Sequence, residues 1–370
     1  MRPLSSSSPR DLEMMRGIAR PRVSFNAGLT GIGFHMVERI RLLPAGNERA
    51  ALVEAARHLL ELASRESRLP GAFTFDPELG DELGRDELTA GVFTGLAGLG
   101  YVETLLGAAL DDARLRDAGI ARIERAYRKH CALAAPSGEL FMGTAGYLAL
   151  ATDLGARGIT GTSLTRVMAE AADRLGARHR RKTEPMNLGA AHGITGELLA
   201  LLLIPDALPR PALEARLDEL LSLATVEGDY IAWPILRGGE VPSPVWASFC
   251  NGVAGQTMLY ARAFSVLGED RYRTAALLGA RTCFALAHGN ATLCCGGGGA
   301  VTALALVGRA LADSSFKRRS ARRLAALEIQ GSETCSRLLL QGDLGISWLG
   351  LLRAHREPIH FPLLRGLVHG

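Results

Sequence analysis

A Gly-x-x-Gly pair followed by an apolar run of helical length occurs seven times in this chain. The pairs are Gly28-Leu-Thr-Gly31, Gly95-Leu-Ala-Gly98, Gly143-Thr-Ala-Gly146, Gly193-Ile-Thr-Gly196, Gly252-Val-Ala-Gly255, Gly296-Gly-Gly-Gly299 and Gly342-Asp-Leu-Gly345. Successive first glycines are 67, 48, 50, 59, 44 and 46 residues apart. A step of about 50 residues has room for two helices and two connections, so the repeat unit is a helical hairpin.

The second helix of each unit is legible between the glycine pairs. Residues 48–65 place Leu52, Val53, Ala56, Leu59, Leu60 and Ala63 on one stripe at helical spacing. Residues 110–127, 163–179, 211–223, 270–287 and 320–340 read likewise. The two longest steps contain insertions: a Pro-, Gly- and acid-rich loop over 67–88, and an extended, irregular stretch over 228–245. Glycine inside a helix costs about 0.5–1 kcal/mol against alanine, so seven pairs at helix starts need a reason. Missing side chains let helix N-termini crowd together at the narrow centre of a closed ring. The expected fold is therefore all-α, an α/α toroid with seven inner and seven outer helices. An open solenoid would also use small residues between repeats, but it needs distinct end caps, which this chain lacks. Residues 1–20 read as an N-terminal tail and 21–370 as a single toroid domain.

Composition narrows the setting. The net charge of +4 is spread over 370 residues and gives no reason to invoke nucleic acid. No apolar run reaches the roughly 18 residues needed to span a membrane. Six cysteines occur without a signal peptide before them, which implies the reducing cytoplasm, where converging thiols suggest metal before disulfide.

If the repeats are equivalent, the residue before each first glycine lies near one mouth of the ring. These residues are Ala27, Thr94, Met142, His192, Asn251, Cys295 and Gln341, with Cys250 and Cys294 one position earlier. Repeats four, five and six are neighbours, so His192, Cys250, Cys294 and Cys295 are expected to converge although they span a hundred residues. Three thiols at one mouth suit Zn²⁺, which takes thiolate ligands in tetrahedral geometry and keeps a position open in catalytic sites. By themselves Cys294 and Cys295 also read as a buried apolar pair, since free cysteine packs as a small hydrophobe. Cys250 at the matching offset favours metal.

These residues carry a resemblance. The chain resembles the lanthionine synthetase C-like (LanC) family from Ser24-Phe25 to Phe361-Pro362-Leu363-Leu364. The family's histidine motif matches Ala191-His192-Gly193, its Cys-x-Gly motif Cys250-Asn251-Gly252, and its Cys-His-Gly motif Cys294-Cys295-Gly296. The resemblance implies a double-layered α/α toroid in which Cys250, Cys294 and Cys295 ligate zinc and His192 is the acid/base residue. Departures are visible: Cys295 stands where most members carry histidine, Trp246 where bacterial members often carry arginine, and Glu139 where many carry aspartate.

The implied reaction adds a peptide cysteine thiolate to dehydroalanine or dehydrobutyrine, closing a thioether ring. His192 suits protonation of the resulting enolate near neutral pH. Three thiolates on Zn²⁺ leave a charge of −1 before substrate, against 0 for two cysteines and a histidine, so a bound substrate sulfur is expected to be more electron-rich. Read from the residues alone, His192 also fits a helix-start cap, and Glu139 either a helix N-terminal acid or an orienter of His192. Asn251, Gln341 and Trp246 are candidates for substrate binding; a polar lining, or packing of Trp246 and Trp233 in the insertion, accounts for them equally. Basic runs at 178–182 and 317–323 read as solvated faces or a dock for an acidic leader. The implied partners are a dehydrated precursor peptide, leader and core, and a separate dehydratase. The alternatives are addition of glutathione or another free thiol to dehydrated residues, and a scaffold protein with a structural zinc.

Overall fold

The computed structural model describes residues 23–26, 28–69, 72–73, 85–181, 186–204, 206–286, 290–331 and 338–369. The N-terminal tail, Ala27, most of the 67–88 loop, Lys182, His288 and Cys335 lie outside them.

Each glycine pair opens a helix that is mostly buried, the last of them less so than the first six. These inner helices are α1 Leu29–Leu42, α4 Leu96–Ala109, α6 Thr144–Ala156, α8 Ile194–Leu201, α10 Val253–Leu267, α12 Gly297–Ala310 and α14 Leu344–Ala354. Amphipathic helices follow the first six: α2 Asn47–Glu66, α5 Ala113–Cys131, α7 Thr162–Arg180, α9 Arg210–Ser222, α11 Asp270–Leu286 and α13 Ser314–Gly331. The contrast within one hairpin shows the two layers. In α4 eleven of 14 residues are buried, whereas in α5 five of 19 are. An all-round apolar helix sits inside and a striped one covers it. Two short helices, α3 Arg85–Ala90 and α15 Gly366–His369, complete the helical elements. A small hairpin, β1 Thr225–Glu227 against β2 Tyr230–Ala232, leads into the 228–245 insertion.

One expected helix is displaced. Residues 320–340 read as helical in sequence, but α13 begins at Ser314, where Asp313 Oδ1 accepts the Ser315 N–H at 2.7 Å and caps the start. The basic run 317–323 is therefore inside the helix. Leu340 belongs to the next inner turn.

A closed cycle of backbone hydrogen bonds joins the repeats. The residue two positions before each first glycine donates its N–H to the carbonyl of its counterpart in the next repeat. The cycle runs Asn26 to Phe93, Phe141, Ala191, Cys250, Cys294, Leu340 and back to Asn26, with N···O distances of 2.9–3.2 Å. The last link, Leu340 to Asn26 at 3.1 Å, closes the ring across the whole chain. All seven inner helices thus start at one end.

The same cycle explains the glycines, with one correction. The N-cap glycines of the first six inner helices have φ between −102° and −150°, values open to any residue, so space and not conformation selects them. The second glycine of each pair does face the neighbouring repeat: a Cβ on Gly196 would lie 2.9 Å from Leu140 Cβ, on Gly255 2.6 Å from Ala190 Cβ, and on Gly345 2.5 Å from Leu293 Cγ. The first glycine answers to its own loop. A Cβ on Gly193 would meet Asn187 O at 2.2 Å, and on Gly252 Trp246 O at 2.2 Å. Gly196→Ala is expected to destabilise by at least about 1–3 kcal/mol, because the added methyl also strikes the fixed carbonyl of Ala190 at 2.1 Å. Gly155→Ala in α6 meets nothing within 4 Å and is expected to be neutral or stabilising. Urea midpoints compare the two, and equal midpoints would refute crowding as the cause.

The far end of the barrel holds a buried charge network. Arg157 Nη1 donates to Glu38 Oε1 and Arg157 Nε to Asp153 Oδ2, each at 2.7 Å. Tyr101 Oη donates to Asp153 Oδ2 at 2.6 Å. After α14 the chain turns back as a strap, residues 355–365, tied there by Glu357 with Arg41 and Arg365.

Candidate functional site

The backbone cycle places three loops side by side. Ala191 N–H donates to Cys250 O at 3.2 Å, while Phe249 N–H and Cys250 N–H both donate to Cys294 O, at 2.9 and 3.2 Å. The loops carrying His192, Cys250 and Cys294-Cys295 are consequently adjacent. The three Sγ atoms lie within 4.8 Å of one another, and Cys250 and Cys295 are 3.6 Å apart. Thiolates on one tetrahedral zinc sit about 3.8 Å apart, given Zn–S bonds near 2.3 Å. The trio therefore fits such an ion with small adjustments. Cys250 and Cys294 are buried and Cys295 is exposed, so the set is walled on one side and open on the other.

The sulfur contacts are already polarised. Hydrogen bonds from Cys294 and Cys295 hold the Cys250 thiol well below its usual range despite its burial. The same bonds to Cys250 push Cys294 and Cys295 up. Ser248 Oγ adds a further polar contact, 3.7 Å from Cys250 Sγ.

His192 stands beside this group with its side chain 44% exposed. Its Nδ1–H donates to Glu139 Oε2 at 2.6 Å, and Glu139 is itself buried. Glu139 Oε1 accepts the Met142 N–H, so its carboxylate both caps its own turn and orients the histidine. Phe141 meets the imidazole edge-on, with centroids 5.2 Å apart. Burial lowers the His192 pKa, but the Glu139 hydrogen bond and charge, with help from Cys250, outweigh it, and the net shift is upward. With Nδ1 engaged, Nε2 is the atom left to exchange protons outward. Seven inner-helix N-termini at this end add positive partial charge, which favours anions there.

The other expected positions fall as follows. Asn251 is half-buried against Gly189, where a Cβ would come within 2.5 Å of its Oδ1. Gln341 is exposed and follows Leu340, whose carbonyl accepts the Cys294 N–H at 2.9 Å. Trp246 is 49% exposed, while its carbonyl accepts the Val253 N–H at 2.9 Å. Trp233 instead packs: it stacks on Tyr260 at 5.6 Å and donates Nε1–H to Leu220 O. Thr94 turns inward and donates to Leu88 O at 2.9 Å, so it does not line the mouth. Cys283 is a buried core thiol, pushed up to about 12 by burial. Ser248 was missed in the sequence, although it precedes Gly252 by the same four positions that separate Glu139 from Gly143.

Residues 22–334 match the sequence profile described as "Lanthionine synthetase C-like protein". The chain belongs to the lanthionine synthetase C-like family. Among solved structures, "Nisin cyclase" superposes with a TM-score of 0.72 at 15% identity, over 97% of this chain and 95% of that one, which establishes the shared α/α toroid. No curated protein matches in sequence. No helix among the described residues of this LanC-like protein is long and apolar enough to cross a membrane.

Proposed function

We propose that this LanC-like protein is a zinc-dependent lanthionine cyclase, with residues 21–370 forming one cyclase domain behind a tail at 1–20. The observation that carries the reading is the convergence of Cys250, Cys294 and Cys295 with the His192–Glu139 pair at one mouth. Cys250, Cys294 and Cys295 would hold the zinc, which lowers the pKa of a coordinated thiol and so keeps a peptide cysteine as thiolate at neutral pH. Attack of that sulfur on the β-carbon of dehydroalanine or dehydrobutyrine forms the C–S bond and breaks the C=C π bond. His192 delivers the Nε2 proton to the α-carbon and is recharged by the proton the thiol gave up, so the cycle is proton-neutral. Glu139 holds the imidazole in the Nδ1–H tautomer and favours its charged form. Asn251, Gln341 and Trp246 would touch the peptide at the rim. The substrate would be a dehydrated precursor peptide made by a separate dehydratase; the likeness to a structure named nisin cyclase supports the peptide part of that reading.

The test is cyclisation of a dehydrated peptide containing one cysteine, read as loss of alkylatable thiol at unchanged mass. Wild type is expected to close the ring, and His192→Asn to slow it about 10²–10⁴-fold, the usual contribution of a general acid. Retention of full rate in His192→Asn, or no ring in wild type loaded with zinc, removes the proposal.

A further inference from the structure

The toroid's axis is occupied by the chain's own C-terminal strap. Phe361 is fully buried and lies face to face with Phe249, centroids 3.7 Å apart and planes 16° from parallel. It also approaches Phe93 at 6.5 Å, so its ring reaches the level of the backbone cycle, to which Phe93 belongs. The neighbouring His360 packs edge-on against Trp348 of α14 at 5.1 Å, and Glu357 is fastened to Arg41 and Arg365 at the far end. The strap is anchored at one end of the barrel and ends its reach under the other.

Phe249 is the residue before Cys250, and its freedom is removed on every side. Its N–H is bound to Cys294 O at 2.9 Å. Its carbonyl lies where a Cβ on Gly255 would be only 2.5 Å away, and its N lies 2.8 Å from where a Cβ on Gly299 would be. Phe361 stacks on its ring. We infer that Phe361 is a positioning residue for the metal centre: the strap acts as an axial post whose tip fixes Phe249 and thereby the spacing of Cys250 from Cys294 and Cys295. Stacked aromatic pairs hold geometry as well as burying area, and the partners that orient metal ligands are commonly worth 10–100-fold in metal affinity. The inference rests on the proposed role of the trio as zinc ligands.

The experiment measures zinc affinity by competition with a chromophoric chelator, and the Co²⁺-substituted absorption spectrum, on the full chain. Phe361→Leu is expected to weaken zinc binding about 10-fold and to broaden the cobalt bands. Phe249→Leu is expected to do the same, and the double variant to lose no more than either alone, because the two changes break one contact. Ile123→Ala, a buried core change in α5, serves as control: it is expected to lower stability while leaving affinity and spectrum as in wild type. Unchanged affinity in Phe361→Leu, additive losses in the double variant, or an equal loss in Ile123→Ala would each overturn the inference. A wild type that binds no metal would remove the zinc reading instead. The post is then read from the rate at which diamide, taking up the two thiol hydrogens, closes the Cys250–Cys295 pair: slower in Phe361→Leu than in Ile123→Ala supports it, and equal rates overturn it.

Discussion

Protein purified under reducing conditions is expected to carry a single equivalent of zinc, and alanine at either Cys250 or Cys295 is expected to remove it. Both donors are needed because, among the described residues, the set has three thiols within 4.8 Å, and a site reduced to two protein ligands plus solvent holds zinc far less firmly. The two positions separate different possibilities. Cys250 is buried and its backbone belongs to the cycle, whereas Cys295 is exposed and its loss disturbs little packing. Loss of metal in Cys295→Ala at unchanged unfolding midpoint would therefore reflect coordination alone. Cys283→Ala, a core thiol beside Thr257 Oγ1 at 3.8 Å, is expected to keep its zinc. Full zinc in both ligand variants, measured by atomic emission, would end the metal reading.

Arg157→Met is expected to cost about 3–5 kcal/mol of stability, the usual penalty for leaving buried charges without their partner. Glu38 and Asp153 are fully buried, and the guanidinium between them serves both. Burial alone would raise the Glu38 pKa, but Arg157 and Arg41 more than reverse this and bring it down to about 2. A depressed carboxylate contributes stability that is present above its unfolded pKa and lost as pH falls through the folded one, here between about 4.5 and 2. Buried His130 and His360 act earlier on acidification. Burial lowers both to about 4, so the unfolded chain binds their protons first and stability falls from pH 6.5 toward 4. Urea midpoints across this range are expected to decline in wild type. In Arg157→Met the fall below pH 4.5 is expected to flatten, because Glu38, left with Arg41 alone, gains less from being ionised. A midpoint within error of wild type at pH 7 would show that the network contributes nothing.

Repeat spacing made the toroid legible because glycine is selected at each repeat by contacts a side chain cannot share. The offset of one or two residues before Gly-x-x-Gly located His192, Cys250, Cys294 and Cys295, since equivalent loops occupy equivalent places. The offset places Thr94 at the same end but says nothing of its side chain, which turns inward to a carbonyl, because equivalent backbones do not dictate equivalent rotamers. The roles of Asn26, Phe93 and Leu340 were invisible: they contribute N–H and C=O groups, which every residue but proline has in full. Phe361 was legible only as part of the stretch where the family resemblance ends, with nothing to mark its role. It belongs to no repeat, and its contact with Phe249 joins positions 112 apart through space alone.

The seam between Leu340 and Asn26 has a consequence for how the protein is born. A linear array can fold from its first repeats while the ribosome is still adding later ones. Here the first turn, at Asn26, offers a carbonyl whose donor is translated 314 residues later, so the N-terminal hairpins must wait unsealed for most of synthesis. At about 5–20 residues per second that wait is on the order of 15–60 s, spent with apolar inner helices lacking their last neighbour. The nascent chain is therefore expected to depend on chaperone cover until α14 emerges, and the mature ring, having no free end from which to fray, to come apart as one unit.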